Sequence, residues 1–427
     1  MLLKIKNIIR DKTLLKIFIT LFLRGIGVIS LFGITILMTR NFSPKIVGDY
    51  DFSRTLLLLL GSIALLGTDQ SILYFSGILE SQKSFHNIKH LYKKIIIYIF
   101  YICLIINIIF IFIPKSILEL DTYYFLKNGI LILFFYSLTI FNTEYLRAIN
   151  FIYLSELFRN TFKYIPLLIG CLLLINYNLK YTLVDFFYFG FIILAIITTI
   201  LCFIFNNKIH NNEGNYFIKS NFLLKKSTPI LFSNVLIFIN LSIDVFLLKK
   251  YYSSVDVAYY STVMKLVTIL SMVIISFNIN ITTKVSELFN LNKLKELQIL
   301  ILKNTRFVFL INLSISIILI LFGTSILDFF GKGYSTAYFS LIILLFSQLL
   351  SSFLCSAPII LNMIGKSNIY FIILLISVLI CLLMNIILIP LYGINGASVS
   401  FLVTNFFSYF SIYIYIKKKF NLSISFF

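Results

Sequence analysis

Long apolar segments recur from one end of this chain to the other, and they leave few folds open to it. They cover about residues 15–38, 46–66, 91–113, 125–141, 152–175 and 181–205, and then 229–248, 257–281, 299–322, 337–361, 369–389 and 394–416. A hydrocarbon core ~30 Å thick takes roughly 20 apolar residues per helix. With 60% hydrophobic and 12% charged residues, the chain has more apolar surface than a soluble domain needs. The expectation is an all-α, polytopic membrane protein with twelve transmembrane helices, six on each side of the polar link 206–226. They would form two six-helix lobes, residues 1–210 and 227–427, around a central cavity, with 211–226 as a cytoplasmic linker.

Two internal echoes support that division. The stretch LMTRNFSPKIVGDY (37–50) is answered 210 positions later by LLKKYYSSVDVAYY (247–260), and LRAI (146–149) is answered 215 positions later by LNMI (361–364). Echoes at nearly one offset point to a duplicated chain. An even number of helices per repeat relates the halves by an axis along the membrane normal, with a cleft between them.

The net charge of +20 is not gathered into a basic domain, so nucleic acid is not expected as a partner. Lys and Arg fall mainly in alternate links, 22 on one side of the membrane against 8 on the other. Positive charge marks the cytoplasmic face, which places both termini there. The basic start (Lys4, Lys6, Arg10, Lys12, Lys16) leads into a full-length span without a small-residue cleavage site, so no cleavable signal peptide is expected. Cys103, Cys171, Cys202, Cys355 and Cys381 lie within apolar runs and read as packing residues. His86, His90 and His210 lack metal-ligand spacing, and no Walker A or strand–GxGxxG–helix pattern occurs. No metal or cofactor is expected. Residues 285–297 read equally as a short amphipathic surface helix or as a solvated loop.

Six basic residues stand in or near the apolar runs: Arg24, Arg54, Arg159, Lys163, Lys265 and Arg306. A charge at the bilayer centre costs at least ~2.5–3.5 kcal/mol and normally faces a partner or a water-filled cavity. Arg24 lies about 14 Å into its helix at 1.5 Å per residue, where snorkelling to water is hardest. Thr20, Arg24, Gly27 and Thr35 share one helical stripe, and Tyr50, Arg54, Gly61 and Thr68 another. On the seventh helix Ser233, Asn240 and Asp244 line up, and on the eighth Ser261, Lys265, Thr268, Ser276 and Thr283 do so. Stripes of small and hydroxylic residues around a charge suit a wet cleft, and they also suit dry helix packing. Arg24, Arg54 and Lys265 are the cavity candidates, with Asp244, Asn240 and Thr20 as accompanying polar or coupling positions. Arg159, Lys163 and Arg306 read as end-of-helix snorkellers or partners of Glu156. Asp244 either pairs with Lys265 or neutralises Lys249. A cationic cleft selects anions, and the planar guanidinium of Arg matches phosphate oxygens.

GDY (48–50) followed by GTDQSILYF (67–75), TPILFSNVLIFINLSIDVFLL (228–248) followed by VDVAYYS (255–261), APIILNMIGKSN (357–368) and NIILIPLYGINGASVS (385–400) together resemble bacterial polysaccharide exporters. These are the O-antigen and lipid-linked oligosaccharide flippases, in the superfamily that also holds multidrug extruders and the lipid II flippase. Two positions depart from the family pattern. Val245 stands where a basic residue often follows the seventh-helix aspartate, and Asn150–Phe151 replaces a glycine–basic pair.

The resemblance implies a flippase of the bacterial cytoplasmic membrane, not an enzyme. It would carry a polyprenyl-pyrophosphate-linked oligosaccharide, an O-antigen or capsule repeat unit, to the outer leaflet by alternating access. Arg24, Arg54 and Lys265 would hold the pyrophosphate, and Na+ or H+ is a possible coupling ion. Membrane lipids, and a polymerase and glycosyltransferases of the same pathway, are the implied partners. Gly393, Gly396 and Pro390 would shape the eleventh-to-twelfth turn. The alternatives are a cation-coupled multidrug extruder of the same superfamily and, further off, a membrane-embedded polysaccharide polymerase. The extruder would need uncompensated carboxylates. The polymerase would need a large outward loop or a paired-carboxylate site, and neither is visible in the sequence.

Overall fold

The computed structural model describes residues 12–112, 120–177, 181–207, 217–291, 293–364 and 366–420. Lys4, Lys6, Arg10 and residues 208–216 of the central link lie outside them. The described residues form helices α1 (Lys12–Asn41), α2 (Pro44–Ala64), α3 (Thr68–Ser81), α4 (Ile88–Ile111), α5 (Leu120–Ala148), α6 (Ile152–Asn160), α7 (Ile165–Asn176) and α8 (Leu183–Asn207). Helices α9 (Ser220–Tyr251), α10 (Ser254–Asn290), α11 (Leu294–Leu321), α12 (Gly323–Phe330), α13 (Tyr338–Phe353), α14 (Ala357–Met363) and α15 (Ser367–Phe420) follow. No strand occurs among the described residues.

Ten helical segments are long and apolar enough to cross a membrane, and the bent pair α2–α3 makes an eleventh. Helix α15 is far too long for one crossing at 1.5 Å per residue. It divides at Gly393, whose φ of 54° and ψ of −129° are not helical. With α15 counted as two, the described residues hold twelve candidate spans.

Local sequence sets the helix ends. Thr182 and Asp185 form a capping box before α8: the Thr182 amide donates to Asp185 Oδ2 at 2.9 Å, and the Asp185 amide donates to Thr182 Oγ1 at 3.3 Å. Ser253 caps α10 by accepting from the Asp256 amide. Asn150 ends α5 in the left-handed region, φ 69°, and the Phe151 amide reaches back to the Leu146 carbonyl at 2.8 Å. Asparagine tolerates that conformation nearly as well as glycine, so it closes the turn without one.

Several links are more helical than the sequence suggests. After a turn at Leu66 and Gly67 with positive φ, the chain re-enters helix at Thr68 and bends by 42°. Most of 68–90 is therefore helix rather than loop. Residues 285–290 continue α10 instead of forming a separate surface helix, and α11 starts at Leu294. Helix α9 begins at Ser220, ahead of the expected start near 229. The fifth span is interrupted at Thr161–Tyr164, and the tenth ends at Phe353 before the short helix α14.

The chain forms two compact units, Met1–Met38 with Ser53–Phe238, and Thr39–Phe52 with Ile239–Phe427. In the first, Asn142 of α5 lies at the centre of a buried polar seam. It accepts from Tyr92 of α4 at 2.8 Å and donates to Thr198 and Thr199 of α8 at 3.1 and 2.9 Å. In the second, Val285, Leu297, Ile301, Ala357, Ile360 and Leu361 are buried together where α10, α11 and α14 meet. Ile105, Ile108 and Ile109 of α4 and Ile193, Ile196 and Ile200 of α8 are exposed. Apolar outer faces over small polar contacts between helices are what a lipid environment favours, because lipid gives apolar side chains no reason to hide.

Candidate functional site

Among the described residues, buried ion pairs gather in two places, one in each unit. In the first unit Arg24 of α1 donates to both carboxylate oxygens of Glu156 of α6, Nε at 3.0 Å and Nη2 at 2.9 Å. This is the bidentate fork that makes arginine–carboxylate pairs strong. Glu156 also accepts from Arg147 at the end of α5 and from Asn160 Nδ2 at 2.7 Å. Arg147 continues to Glu144 Oε2 at 3.2 Å, and Arg159 donates to the other Glu144 oxygen. Three guanidinium groups thus stand on two carboxylates, in the order Arg24, Glu156, Arg147, Glu144, Arg159.

The burial is unequal. The Glu156 side chain is 1% exposed, whereas Arg24 is 25% and Arg159 50% exposed. The acids serve as a buried anchor, and the guanidinium edges remain open on one side. Arg54 of α2 and Arg159 are both within electrostatic reach of Lys163, which stands in the break of the fifth span. Arg54 and Lys163 are half-buried. Asp69 of α3 adds a third carboxylate, within electrostatic reach of Glu144 and Arg159.

In the second unit Lys265 of α10 is buried, and its ammonium meets both Asp51 oxygens, Oδ1 at 2.8 Å and Oδ2 at 2.9 Å. In the same unit Lys249 contacts Asp49 Oδ1 at 2.7 Å, and Ser254 Oγ donates to the same oxygen at 2.5 Å. Asp244 is fully buried; it accepts from Tyr260 Oη at 2.6 Å and Asn385 Nδ2 at 2.5 Å, with the Cys381 thiol at 3.9 Å. All of these partners are neutral. Neither pairing expected for Asp244 occurs, because the segment Thr39–Phe52 supplies Asp49 and Asp51 to the two lysines instead. Asn385 Oδ1, beside Asp244, and Asn240 Oδ1 are buried without a hydrogen-bond partner. Thr20 is half-buried on α1.

The structure therefore places Arg24 and Arg54 in the first unit and Lys265 in the second. Glu156 partners Arg24, Arg147 and Asn160, whereas Arg159 turns to Glu144. Sequence reading missed Asp49, Asp51, Glu144, Arg147 and Asn385. Asp51 stands three residues before Arg54 and Glu144 three before Arg147, spacings that put each pair on one helix face. That was the available signal.

Comparison with known proteins agrees with this architecture. The MatE family profile matches residues 229–387, less than half of the chain. No curated protein matches it by sequence. Among solved structures, the inward-facing conformation of a multidrug resistance MATE family transporter of the MOP superfamily superposes with a TM-score of 0.72 at 13% identity, covering 94% of this chain and 98% of that one. The lipid II flippase MurJ in an inward closed conformation gives 0.72 at 16% identity, covering 94% and 87%. A MOP superfamily transporter from Pyrococcus furiosus, described as having a binding pocket of reverse polarity, gives 0.67 at 14% identity, covering 94% and 95%. The chain has the fold of the MOP-superfamily transporters. At these identities the likeness speaks for the fold, and the cargo must be argued from side chains.

Proposed function

We propose that the chain is a membrane transporter of the MOP type, a flippase for a polyprenyl-pyrophosphate-linked oligosaccharide in the bacterial cytoplasmic membrane. The observation that carries this reading is the cationic excess in the first unit. Arg24, Arg54, Arg147, Arg159 and Lys163 stand against Glu144, Glu156 and Asp69 in one connected region of the helices. A surplus of guanidinium edges, partly open and anchored from behind by buried acids, suits a pyrophosphate headgroup. Arg24 and Arg54 would meet that headgroup. Lys265, in the second unit, is held by Asp51 and would take part only by giving up that carboxylate. Polymerase and glycosyltransferases of an O-antigen or capsule pathway would be the functional partners.

A second reading is an ion-coupled extruder of small amphiphiles. The comparisons taken alone support it better, since multidrug resistance MATE family transporters recur among the similar folds. One observation also favours it: Asp244 is a buried carboxylate with only neutral partners, which a cation or proton would satisfy.

Two experiments separate the readings. In cells deleted for the gene, the wild-type chain should restore surface polysaccharide, and Arg24→Ala should not, at normal protein abundance. In proteoliposomes, the purified protein should move a labelled polyprenyl-pyrophosphate saccharide between leaflets and leave ethidium untransported. Ethidium export without saccharide movement would establish the extruder instead.

A further inference from the structure

A small pocket lies in the first unit at the start of α4, and none of the ion-paired residues described above lines it. It has a volume of about 130 Å³ and is lined by Leu79 of α3, by Asn87, His90, Leu91 and Lys94 at the helix start, and by Phe217 and Ile218 from the segment before α9. At ~30 Å³ per water this is room for roughly four waters, or for one phosphate group in their place. Ile218 is buried, and its carbonyl accepts from Lys94 Nζ at 3.3 Å, while the Phe217 ring stands edge-on to His90 at 5.6 Å. The segment that follows the central link is thereby fastened to the third span, and the fastening leaves a cavity with Lys94 and His90 in its wall.

The sequence around it is one-signed. From Lys83 to Lys94 there are four lysines and two histidines and no acidic residue. These residues stand immediately before and within the first two turns of a spanning helix, Phe85–Ile111. Basic clusters at that position draw anionic lipid headgroups, each lysine contributing about 1 kcal/mol near the surface. A cluster alone would attract such lipids diffusely. A walled pocket at its centre, with one half-buried lysine and an apolar rim of Leu91, Phe217 and Ile218, gives one phosphate a defined seat.

We propose that this pocket binds the phosphate of an anionic phospholipid, held by Lys94 and His90. The lipid then bridges the third span and the segment leading into α9, so the membrane's anionic lipid content bears on how firmly that segment is held. This site is independent of the cargo reading.

The test uses the full chain purified in detergent and native mass spectrometry with phosphatidylglycerol, phosphatidylcholine or inorganic phosphate added. One phosphatidylglycerol should remain bound where phosphatidylcholine does not. Lys94→Gln combined with His90→Gln should weaken that binding about tenfold or more. Lys94→Arg should retain it, and Lys127→Gln, an exposed lysine elsewhere in the unit, should leave it unchanged. Equal retention by the double variant, or equal loss in Lys127→Gln, would overturn the site. Displacement of the lipid by inorganic phosphate, with the same dependence on Lys94, would assign the pocket to free phosphate and overturn the lipid as its source.

Discussion

Asp51 holds Lys265 through both of its carboxylate oxygens, across 214 positions of sequence, with both side chains almost wholly buried. Neither charge has water to fall back on, so each depends on the other. Removing one partner of such a pair costs about 3–5 kcal/mol, whereas replacing both with apolar groups is often neutral. Lys265→Met and Asp51→Leu should each lower the unfolding midpoint in detergent, and the double variant should recover most of the loss. The exchanged pair, Lys265→Asp with Asp51→Lys, should also regain stability. If Lys265 trades Asp51 for an anionic cargo, the exchanged protein stays inactive in polysaccharide complementation; full activity would remove Lys265 from the cargo site.

The same segment approaches α10 through Gly48. A Cβ there would lie 1.6 Å from the Ser254 carbonyl oxygen, far inside any real contact. Gly48→Ala should therefore push the start of α2 away and loosen Asp49 and Asp51 together. Its stability loss should be strongly non-additive with Lys265→Met, because both act on one interaction. Thermal unfolding of the single and double variants measures this directly.

Glu156 gives a third prediction. It is the buried end of a fork from Arg24, and it also takes Arg147 and Asn160. Glu156→Ala leaves two guanidinium groups without their carboxylate and should cost about 3–5 kcal/mol. Glu156→Gln keeps the shape and one acceptor, so a folded protein is expected. Arg24 then swings free, and binding of a pyrophosphate lipid should change while protein abundance does not. Abundance by immunoblot and lipid binding by native mass spectrometry separate the two effects.

Much of this fold is legible in the sequence because lipid imposes a simple rule on it. The duplication is a clear case. The breaks Asn41–Pro44 and Tyr251–Ser254 lie 210 positions apart, and the breaks Ala148–Ile152 and Met363–Ser367 lie 215 apart, as the sequence echoes indicate. The charge partners are another matter. Asp51 shares a helix face with Arg54, yet the lysine it meets lies 214 positions further on, and no helical spacing points to it. Glu144 lies beyond the apolar run that ends near 141, and Arg147 is hidden inside a repeat motif. Arg24 and Glu156 are 132 positions apart, and periodicity carries no mark of such a pairing. The bend after α2 depends on Leu66 accepting a positive φ, which no residue preference announces.

Gly393 tests the division of α15. Its φ of 54° and ψ of −129° fit the first central position of a type II′ turn, which glycine dominates. A substitution there should cost about 1–3 kcal/mol of backbone strain. Gly393→Ala should lower the unfolding midpoint, whereas Gly25→Ala, on α1 with nothing near its Cβ position, should not.

Asp244 bears on what drives the cycle. Its carboxylate is sealed among Tyr260, Asn385 and Cys381, and the neighbouring Asn385 Oδ1 is buried without a partner. A bare carboxylate in such a place is costly, and we propose that a proton, or a cation such as Na+ shared with that spare oxygen, would relieve the cost. Asp244→Asn supplies a neutral amide of the same shape and removes that requirement. The variant should unfold at the same temperature as the wild type or above it, and it should still bind cargo in detergent. Its transport in proteoliposomes should no longer respond to an imposed Na+ or H+ gradient. Gradient-dependent transport at the wild-type rate would show that coupling resides elsewhere, and a lowered unfolding temperature would show that the charge serves packing alone.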